Sequence, residues 1–217
     1  MKLIDLSQPL YDGAPNCPAH PAPRSLQVAD HPTDGWRMEV ITMASHTGSH
    51  VDAPLHKIAG GASISEMPLE SFVGPARIAD LRPLAPRSSI GPAELDRTLA
   101  DLQPGEIALL CTGWGEIRDR TDTWLYDSPS LSPEGARWLV DRGARAVGID
   151  HYSIGGSREP VNSDTHTILL GSGLWVVEEL LFPPDALAAP RPSTFLCLPI
   201  HLRFHSGSFC RPVLMLG

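Results

Sequence analysis

Three histidines and an aspartate lie close together in the stretch ASHTGSHVDAPLH, which runs from Ala44 to His56. They are His46, His50, Asp52 and His56 itself. Imidazole nitrogens and carboxylate oxygens are suitable donors for Zn²⁺, and also for Mn²⁺ or Fe²⁺. Two histidines and one aspartate leave coordination positions open for water or for ligands from elsewhere in the chain. The stretch therefore predicts a metal site of the catalytic kind.

The backbone of this stretch must be extended or irregular, and it must bend. Pro54 forbids a helix, and on a helix Asp52 would point away from His46 and His50. In a straight strand all these side chains would share one face, but His46 and His50 would lie roughly 13 Å apart. That separation is too long for one ion. We therefore expect the chain to bend at Gly48 and the serine that follows it.

Strands and helices that could position the site alternate irregularly along the chain. Apolar and alternating runs predict strands over residues 2–6, 36–43, 76–81, 106–113, 144–150, 174–180 and 194–202. Cap and proline signals predict helices over residues 91–100 and 132–143, and a short one over 163–173 with Ser163 or Asp164 as its cap. This order favours a mixed sheet with helices packed on it, α/β or α+β, over a regular Rossmann repeat.

The composition is that of one globular domain. The chain has 217 residues, with 42% hydrophobic and 19% charged residues. We expect a single domain over residues 1–217. The net charge of −8 argues against nucleic acid as a partner, because phosphate binding needs a basic surface.

The sequence also predicts a cytoplasmic protein without a membrane segment. No apolar run reaches the roughly 18 residues that a membrane helix needs, and the N-terminus lacks the apolar core of a secretory signal. The four cysteines, which have no CxxC spacing, are expected to be free thiols (Cys17, Cys111, Cys197, Cys210).

The histidine-rich stretch resembles the HxGTHxDxPxH signature of the cyclase-like metal-dependent hydrolases, which include bacterial kynurenine formamidases (arylformamidases) and isatin hydrolases. The resemblance covers most of the chain through LIDLSQPLYDGAP, CTGW, VGIDHYSIGG, HTILLGSGLWVVEEL and LPIHL. It implies an α/β (α+β mixed) fold: a mixed sheet or partial barrel with packed helices, in a swivelling β/β/α-like arrangement.

The resemblance also implies a set of metal ligands. His46, His50 and Asp52 would hold a divalent ion, zinc or manganese, and His166 and Glu178 would complete the site. Asp52 and Glu178 could bridge to a second ion, so one or two ions would bind per chain. Without the resemblance, His166 on an apolar helix is more typical of core packing. The choice of Glu178 over its acidic neighbour rests on the family spacing.

By the same resemblance, His56 transfers protons and is not a ligand. The predicted function is metal-dependent hydrolysis of a small amide or ester-type substrate, cyclic ones included, in the manner of an arylformamidase. Two alternatives stay open: a non-catalytic member that binds metal and a small ligand, and a cyclase or lyase acting on a polyketide-like substrate. The chain has no G-x-S-x-G, which disfavours a serine hydrolase.

Three departures from the family pattern suggest a different small substrate. Cys17 stands where the formamidases have the tryptophan of a W-P-G-D-type element. The C-terminal G-x-D-G-S/A-P-x-R pattern reads FHSGSFCR, with Ser206 for the aspartate, Phe209 for the proline and Arg211 retained. Gly155 replaces a residue that is commonly acidic.

Three residues are candidate substrate contacts. They are Cys17, Arg211 and His151, the last of which follows a predicted strand. An ordinary loop position for His151 is an equally open interpretation.

The proline-rich segment from Tyr11 to Arg24 suggests that residues 1–30 form an extended arm. An arm without a core of its own must pack against something, and the resembled family is oligomeric. We therefore expect a homodimer or a homotetramer.

Overall fold

A curled, nine-stranded mixed sheet is the centre of the fold in the computed structural model, which describes residues 1–216. The strands are β1 (Lys2–Asp5), β2 (Arg24–Ala29), β3 (Met38–Thr42), β4 (His50–Asp52), β5 (Val73–Asp80), β6 (Ser89–Ile90), β7 (Ile107–Cys111), β8 (Ser130–Leu131), β9 (Ala146–Ile149), β10 (Trp175–Glu178), β11 (Ser193–Leu196), β12 (Gly207–Phe209) and β13 (Val213–Leu216). The helices are α1 (His31–Asp34), α2 (Pro92–Leu99), α3 (Asp122–Tyr126), α4 (Pro133–Asp141), α5 (Val161–Gly171) and α6 (Pro184–Leu187).

The strand order of the main sheet is β1-β13-β11-β5-β7-β9-β10-β4-β12. Strands β5, β7, β9 and β10 run parallel, and the flanking pairs are antiparallel. The two central parallel strands, β7 and β9, are apolar and buried along their whole length, as expected for strands covered on both faces. This half-barrel with helices confirms the predicted mixed α/β class.

Two apolar layers cover the sheet. Along β10, Trp175 and Val177 enter one core layer, and Val176 enters the other. This alternation follows from the period of two in a strand. The second layer also takes the buried leucines of α2, α4 and α5, so the helices lie against one face of the parallel strands.

Local signals explain where two helices begin. The N–H of Gly91 donates to Glu94 Oε2 ahead of α2, and Ser132 Oγ accepts from Gly135 N at the start of α4. Both α2 and α4 have proline at the first turn, as predicted.

Two predicted boundaries are wrong. Helix α5 begins at Val161, ahead of the predicted caps, because the Glu159 carboxylate accepts from Ser163 N at 3.0 Å and takes the capping role. Strand β11 ends at Leu196 rather than continuing to residue 202. The regular pairing of this strand with β5 and β13 stops at that residue.

The predicted arm over residues 1–30 is not confirmed. Strand β1 is part of the main sheet, where it pairs with β13. Strands β2 and β3 form a separate two-stranded ribbon with exposed apolar side chains (Leu26, Val28, Met38, Val40 and Ile41). In residues 1–216, no helix has the length and apolar character needed to cross a membrane.

Candidate metal centre

Strands β4 and β10 carry the centre of the site. They pair antiparallel with Glu178 opposite His50 and Val176 opposite Asp52. Helix α5 brings His166 over the same strands. His46 lies in the loop before β4, and the chain bends at Gly48, where φ is 65°. The predicted bend is therefore confirmed, and a side chain at Gly48 would be strained by that backbone conformation.

Two histidine nitrogens face two carboxylates at the centre of this arrangement. His50 Nε2 lies 3.3 Å from Asp52 Oδ1 and 3.4 Å from Glu178 Oε2. His166 Nε2 lies 3.2 Å from Glu178 Oε1 and 3.8 Å from Asp52 Oδ2. The donor atoms of His50, Asp52 and Glu178 all lie within 4.8 Å of one another, which suits a shared ion.

Backbone carbonyls orient both imidazoles. His50 Nδ1 donates to the Gly48 carbonyl at 2.7 Å, and His166 Nδ1 donates to the Asn162 carbonyl at 2.8 Å. When it is neutral, each ring turns the lone pair of Nε2 towards the carboxylates. A carbonyl on the second nitrogen is the usual outer partner of a metal-binding histidine. The donor set therefore fits a divalent metal ion.

The two carboxylates need positive charge. Asp52 is 1% exposed and Glu178 is 3% exposed. Within residues 1–216, histidines are their only ion-pair partners; neither has a lysine or arginine at salt-bridge distance. Two buried anions this close together are costly unless positive charge lies beside them, either as protons on the histidines or as a bound cation.

His46 and His56 form a second group around Asp52. His46 Nδ1 lies 2.6 Å from Asp52 Oδ1, and the ring centres of His46 and His56 are 4.2 Å apart. One donor atom from each of these three residues lies within 4.8 Å of the other two. Asp52 thus belongs to both groups, a geometry compatible with one ion or with two.

The pKa values follow from this burial and pairing. Burial opposes charge on His50, but hydrogen bonds to Asp52 and Glu178 raise the pKa of His50 well above its usual range. The pKa of His166 is also raised, because Glu178 outweighs the effect of burial. Burial lowers the pKa of His56 to about 4, so that ring is neutral at pH 7.

Residues 206 and 207 form the wall behind His46. Ser206 Oγ lies 3.0 Å from His46 Nε2. A Cβ on Gly207 would lie 2.3 Å from His46 Cε1, so only glycine leaves room for the ring. Ser206, which replaces the aspartate of the family pattern, is therefore in contact with the site.

A cavity of about 340 Å³ opens beside these groups. Besides the five predicted ligands and His56, its lining includes Cys17, His20, Lys57, Tyr126, Tyr152 and Glu159. Cys17 therefore borders the cavity, and its contact with substrate stays a prediction. The sequence did not single out the two tyrosines: Tyr126 ends α3, a helix that was not predicted, and Tyr152 lies in the loop after β9.

His151 and Arg211 do not line the cavity. His151 is fully buried, and its Nε2 donates to the Trp124 carbonyl at 2.9 Å. Arg211 lies on the surface, where its Nη2 is 2.7 Å from Asp5 Oδ2. The prediction that these two residues contact substrate therefore does not match their positions, because each already has an internal partner that directs its side chain elsewhere.

Glu179, the acidic neighbour of Glu178, points away from the cavity into a buried ion pair. Arg118 Nη2 lies 2.7 Å from Glu179 Oε2, and the same guanidinium donates to the carbonyls of Pro9 and Pro15. This contact fixes the N-terminal segment that carries Cys17.

The chain is similar in sequence to a known family and to known enzymes. The Cyclase family model matches residues 4–155. The kynurenine formamidase of Bordetella petrii is 30% identical over 184 residues, which is 83% of each chain. The kynurenine formamidase of Bordetella avium is 29% identical over 217 residues, covering 98% of this chain and 97% of that one.

Solved structures show the same fold. Isatin hydrolase A from Labrenzia aggregata, bound to benzyl benzoate, superposes with a TM-score of 0.84 at 23% identity, covering 99% of this chain and 93% of that chain. A Bacillus stearothermophilus protein described as a predicted metal-dependent hydrolase gives a TM-score of 0.74 at 26% identity, over 98% and 97% of the two chains.

Proposed function

The chain belongs to the Cyclase family, and from that membership and the geometry of the site we propose that it is a metal-dependent hydrolase that cleaves an amide bond in a small molecule. The observation that carries the proposal is the pair of buried carboxylates, Asp52 and Glu178, facing the Nε2 atoms of His50 and His166 beside a cavity.

We assign the metal to five residues: His46, His50, Asp52, His166 and Glu178. When bound, the ion supplies a water of lowered pKa and polarises the substrate carbonyl. Zinc and manganese both suit these nitrogen and oxygen donors. Asp52 belongs to both donor groups, so it would help to hold a second ion if one binds.

His56 is proposed to move the protons of the reaction. Its ring borders the cavity and is neutral at pH 7, since burial holds its pKa at about 4. His56 accepts a proton as water attacks the amide carbon, and it returns that proton to the leaving nitrogen. A neutral amine can then leave.

The substrate proposal is an aryl formamide or a related small amide. The relatives in two Bordetella species are named kynurenine formamidases. Tyr126 and Tyr152 border the cavity and offer aromatic surface to a planar group. Cys17 is smaller than the tryptophan of the family pattern, so the wall it forms accepts a bulkier or differently shaped group.

The test is turnover of N-formylkynurenine by protein loaded with zinc or with manganese, with a matched sample stripped by a chelator. Efficient turnover that the chelator abolishes and added metal restores supports an arylformamidase. If the metal-loaded protein fails with N-formylkynurenine, the assay continues with cyclic imides and lactones. Metal-loaded protein that hydrolyses none of these would contradict the proposal and favour a non-catalytic binding protein.

We also propose that the chain forms a homodimer or a homotetramer through the ribbon of β2 and β3. An isolated two-stranded ribbon is only marginally stable in water, and this one exposes Leu26 and Ile41 by more than 60% each. Light scattering that gives the mass of a monomer at micromolar concentration would contradict this.

A further inference from the structure

Two cysteines outside the metal centre lie side by side. Cys197 directly follows β11, and Cys210 directly follows β12. Their Sγ atoms are 3.4 Å apart, although the residues are 13 positions apart in the chain. Both are free thiols in the structure.

The backbone holds both cysteines in place. The N–H of Cys197 donates to the Phe72 carbonyl at 2.9 Å, and the N–H of Cys210 donates to the Ser49 carbonyl at 2.9 Å. Pro199 and Cys210 face one another in an isolated β-bridge. The contact between the sulfurs is therefore set by ordered backbone on both sides, not by a loop that brings them together by chance.

We propose that Cys197 and Cys210 are a site of reversible oxidative modification, at which hydrogen peroxide converts the two thiols into a disulfide. Bonded sulfurs are about 2.05 Å apart, so the two atoms need to approach by roughly 1.4 Å. Small side-chain rotations can supply much of that movement. The new bond would tie the residue after β12 to the residue after β11.

The accessibility of the two thiols sets the order of events. Cys210 is partly exposed and Cys197 is fully buried. Burial among apolar side chains raises the pKa of the Cys197 thiol well above its ordinary value, which keeps it protonated. Cys210 is therefore the thiol that meets the peroxide.

The chemistry balances without any other reactant. The Cys210 sulfur attacks one peroxide oxygen, the O–O bond breaks, and the hydroxide takes up the thiol proton as water, which leaves a sulfenic acid. The Cys197 sulfur then attacks the sulfenic sulfur, the S–O bond breaks, and the hydroxide leaves as water with the Cys197 proton. Two thiols become one disulfide, and one peroxide becomes two waters. A dithiol reductant reverses the change.

The other two cysteines provide an internal comparison. Cys111 is buried in β7, and Cys17 borders the cavity. In the part of the chain that the structure describes, neither has a second cysteine in contact. Cys17 can form a sulfenic acid, but it has no neighbouring thiol to complete a disulfide within the chain.

The experiment treats the zinc-loaded protein with hydrogen peroxide, alkylates the remaining thiols, and maps the tryptic peptides without reduction. Trypsin cuts after Arg158 and Arg203 but not at the Arg–Pro bonds, so Cys197 lies in peptide 159–203 and Cys210 in peptide 204–217. We expect these two peptides to appear joined, with the loss of two hydrogen atoms, and to separate after reduction.

Two variants test the order of events. Cys197→Ala should leave Cys210 as a sulfenic acid that dimedone traps, and Cys210→Ala should leave Cys197 unmodified at the same dose. Cys17→Ser is the matched control and should keep the linked peptide. If wild-type protein shows both peptides alkylated, or Cys210 joined to a different cysteine, the proposal is overturned. The wild-type map decides this even if a variant fails to fold.

Discussion

His56 borders the cavity next to the proposed ligands, and its protonation state suits proton transfer. Replacing it with alanine should keep the metal and lower kcat by about 10²- to 10⁴-fold, the usual contribution of general acid–base catalysis. The physical reason is that burial keeps His56 neutral at pH 7, so that its ring can accept a proton at the border of the cavity. Steady-state kinetics with metal analysis of the same sample measures both effects.

The control for this prediction is His201→Ala, which removes an exposed histidine outside the site. It should leave kcat and metal content at the wild-type level. A His56→Ala protein that is purified without metal would contradict the assigned role, because His56 would then be a ligand in the group it forms with His46 and Asp52.

Protons and metal compete for the same two imidazoles. Contacts with Glu178 raise the pKa of both His50 and His166, so these rings hold protons in the metal-free protein above the ordinary histidine range. Metal must displace those protons, so its affinity should rise with pH through and above about 6.5. Calorimetry of zinc binding at pH 7, in buffers of different ionisation enthalpy, should show the release of about one to two protons per ion.

His166→Ala should reduce that release because one of the competing rings is gone. Zinc affinity that is flat between pH 6 and 8 in the wild-type protein would contradict the competition. The same result would also weaken the assignment of His50 and His166 as metal ligands.

At the scale of residues, the sequence identified part of the site and not the rest. The spacing of His46, His50 and Asp52 indicated metal binding by itself, because the three lie in one short stretch. His166 and Glu178 reach the site only through packing of α5 and pairing of β10, and only the family resemblance pointed to them. Side-chain direction, which depends on tertiary partners, could not be inferred for His151 or Arg211.

At the scale of elements, one arginine connects the N-terminal segment to the sheet. Arg118 is bound to Glu179 and to two proline carbonyls, and the segment it holds carries Cys17 into the cavity wall. Arg118→Lys keeps the charge but cannot make all these hydrogen bonds. If the lost hydrogen bonds weaken substrate binding by about 1.4 kcal/mol, KM should rise about tenfold while kcat stays within a factor of about three.

The matched control is Arg137→Lys, an exposed position on α4. It should change neither constant. An Arg118→Lys protein with wild-type KM would contradict the positioning role, and a protein with unchanged KM but lower melting temperature would show that the ion pair serves stability alone.

The order of elements was predictable because the signals were local. Pro92 and Ser132 mark helix starts, and the apolar run of β7 marks a buried strand. Boundaries were less predictable where a distant or neighbouring side chain competes, as Glu159 does at the start of α5. The ribbon of β2 and β3 was foreseen only in part: the strand predicted over residues 36–43 corresponds to β3, whereas β2 lies in the segment that was expected to be an extended arm.

At the scale of the whole molecule, the metal centre joins elements that are far apart in the sequence. Strand β4, strand β10, helix α5 and the residue before β12 meet at the site, through His50, Glu178, His166 and Ser206. Without an ion, two buried carboxylates and their histidines must share protons to limit repulsion. The proposed metal would therefore bind to groups that only the folded state brings together.

Metal removal should accordingly destabilise the entire fold. With free zinc at about 100 times its dissociation constant, mass action adds about 2.7 kcal/mol to the free energy of unfolding. For a protein of this size that corresponds to a rise in Tm of about 5–11 °C. Thermal unfolding of chelated and zinc-loaded protein measures the difference.

A His50→Ala variant should lose most of the zinc-dependent rise in Tm, since it removes a central donor, whereas His201→Ala should keep it. Equal Tm values for chelated and zinc-loaded wild-type protein would mean that no ion is held between β4, β10 and α5. That result would contradict the assignment of a metal centre to these elements.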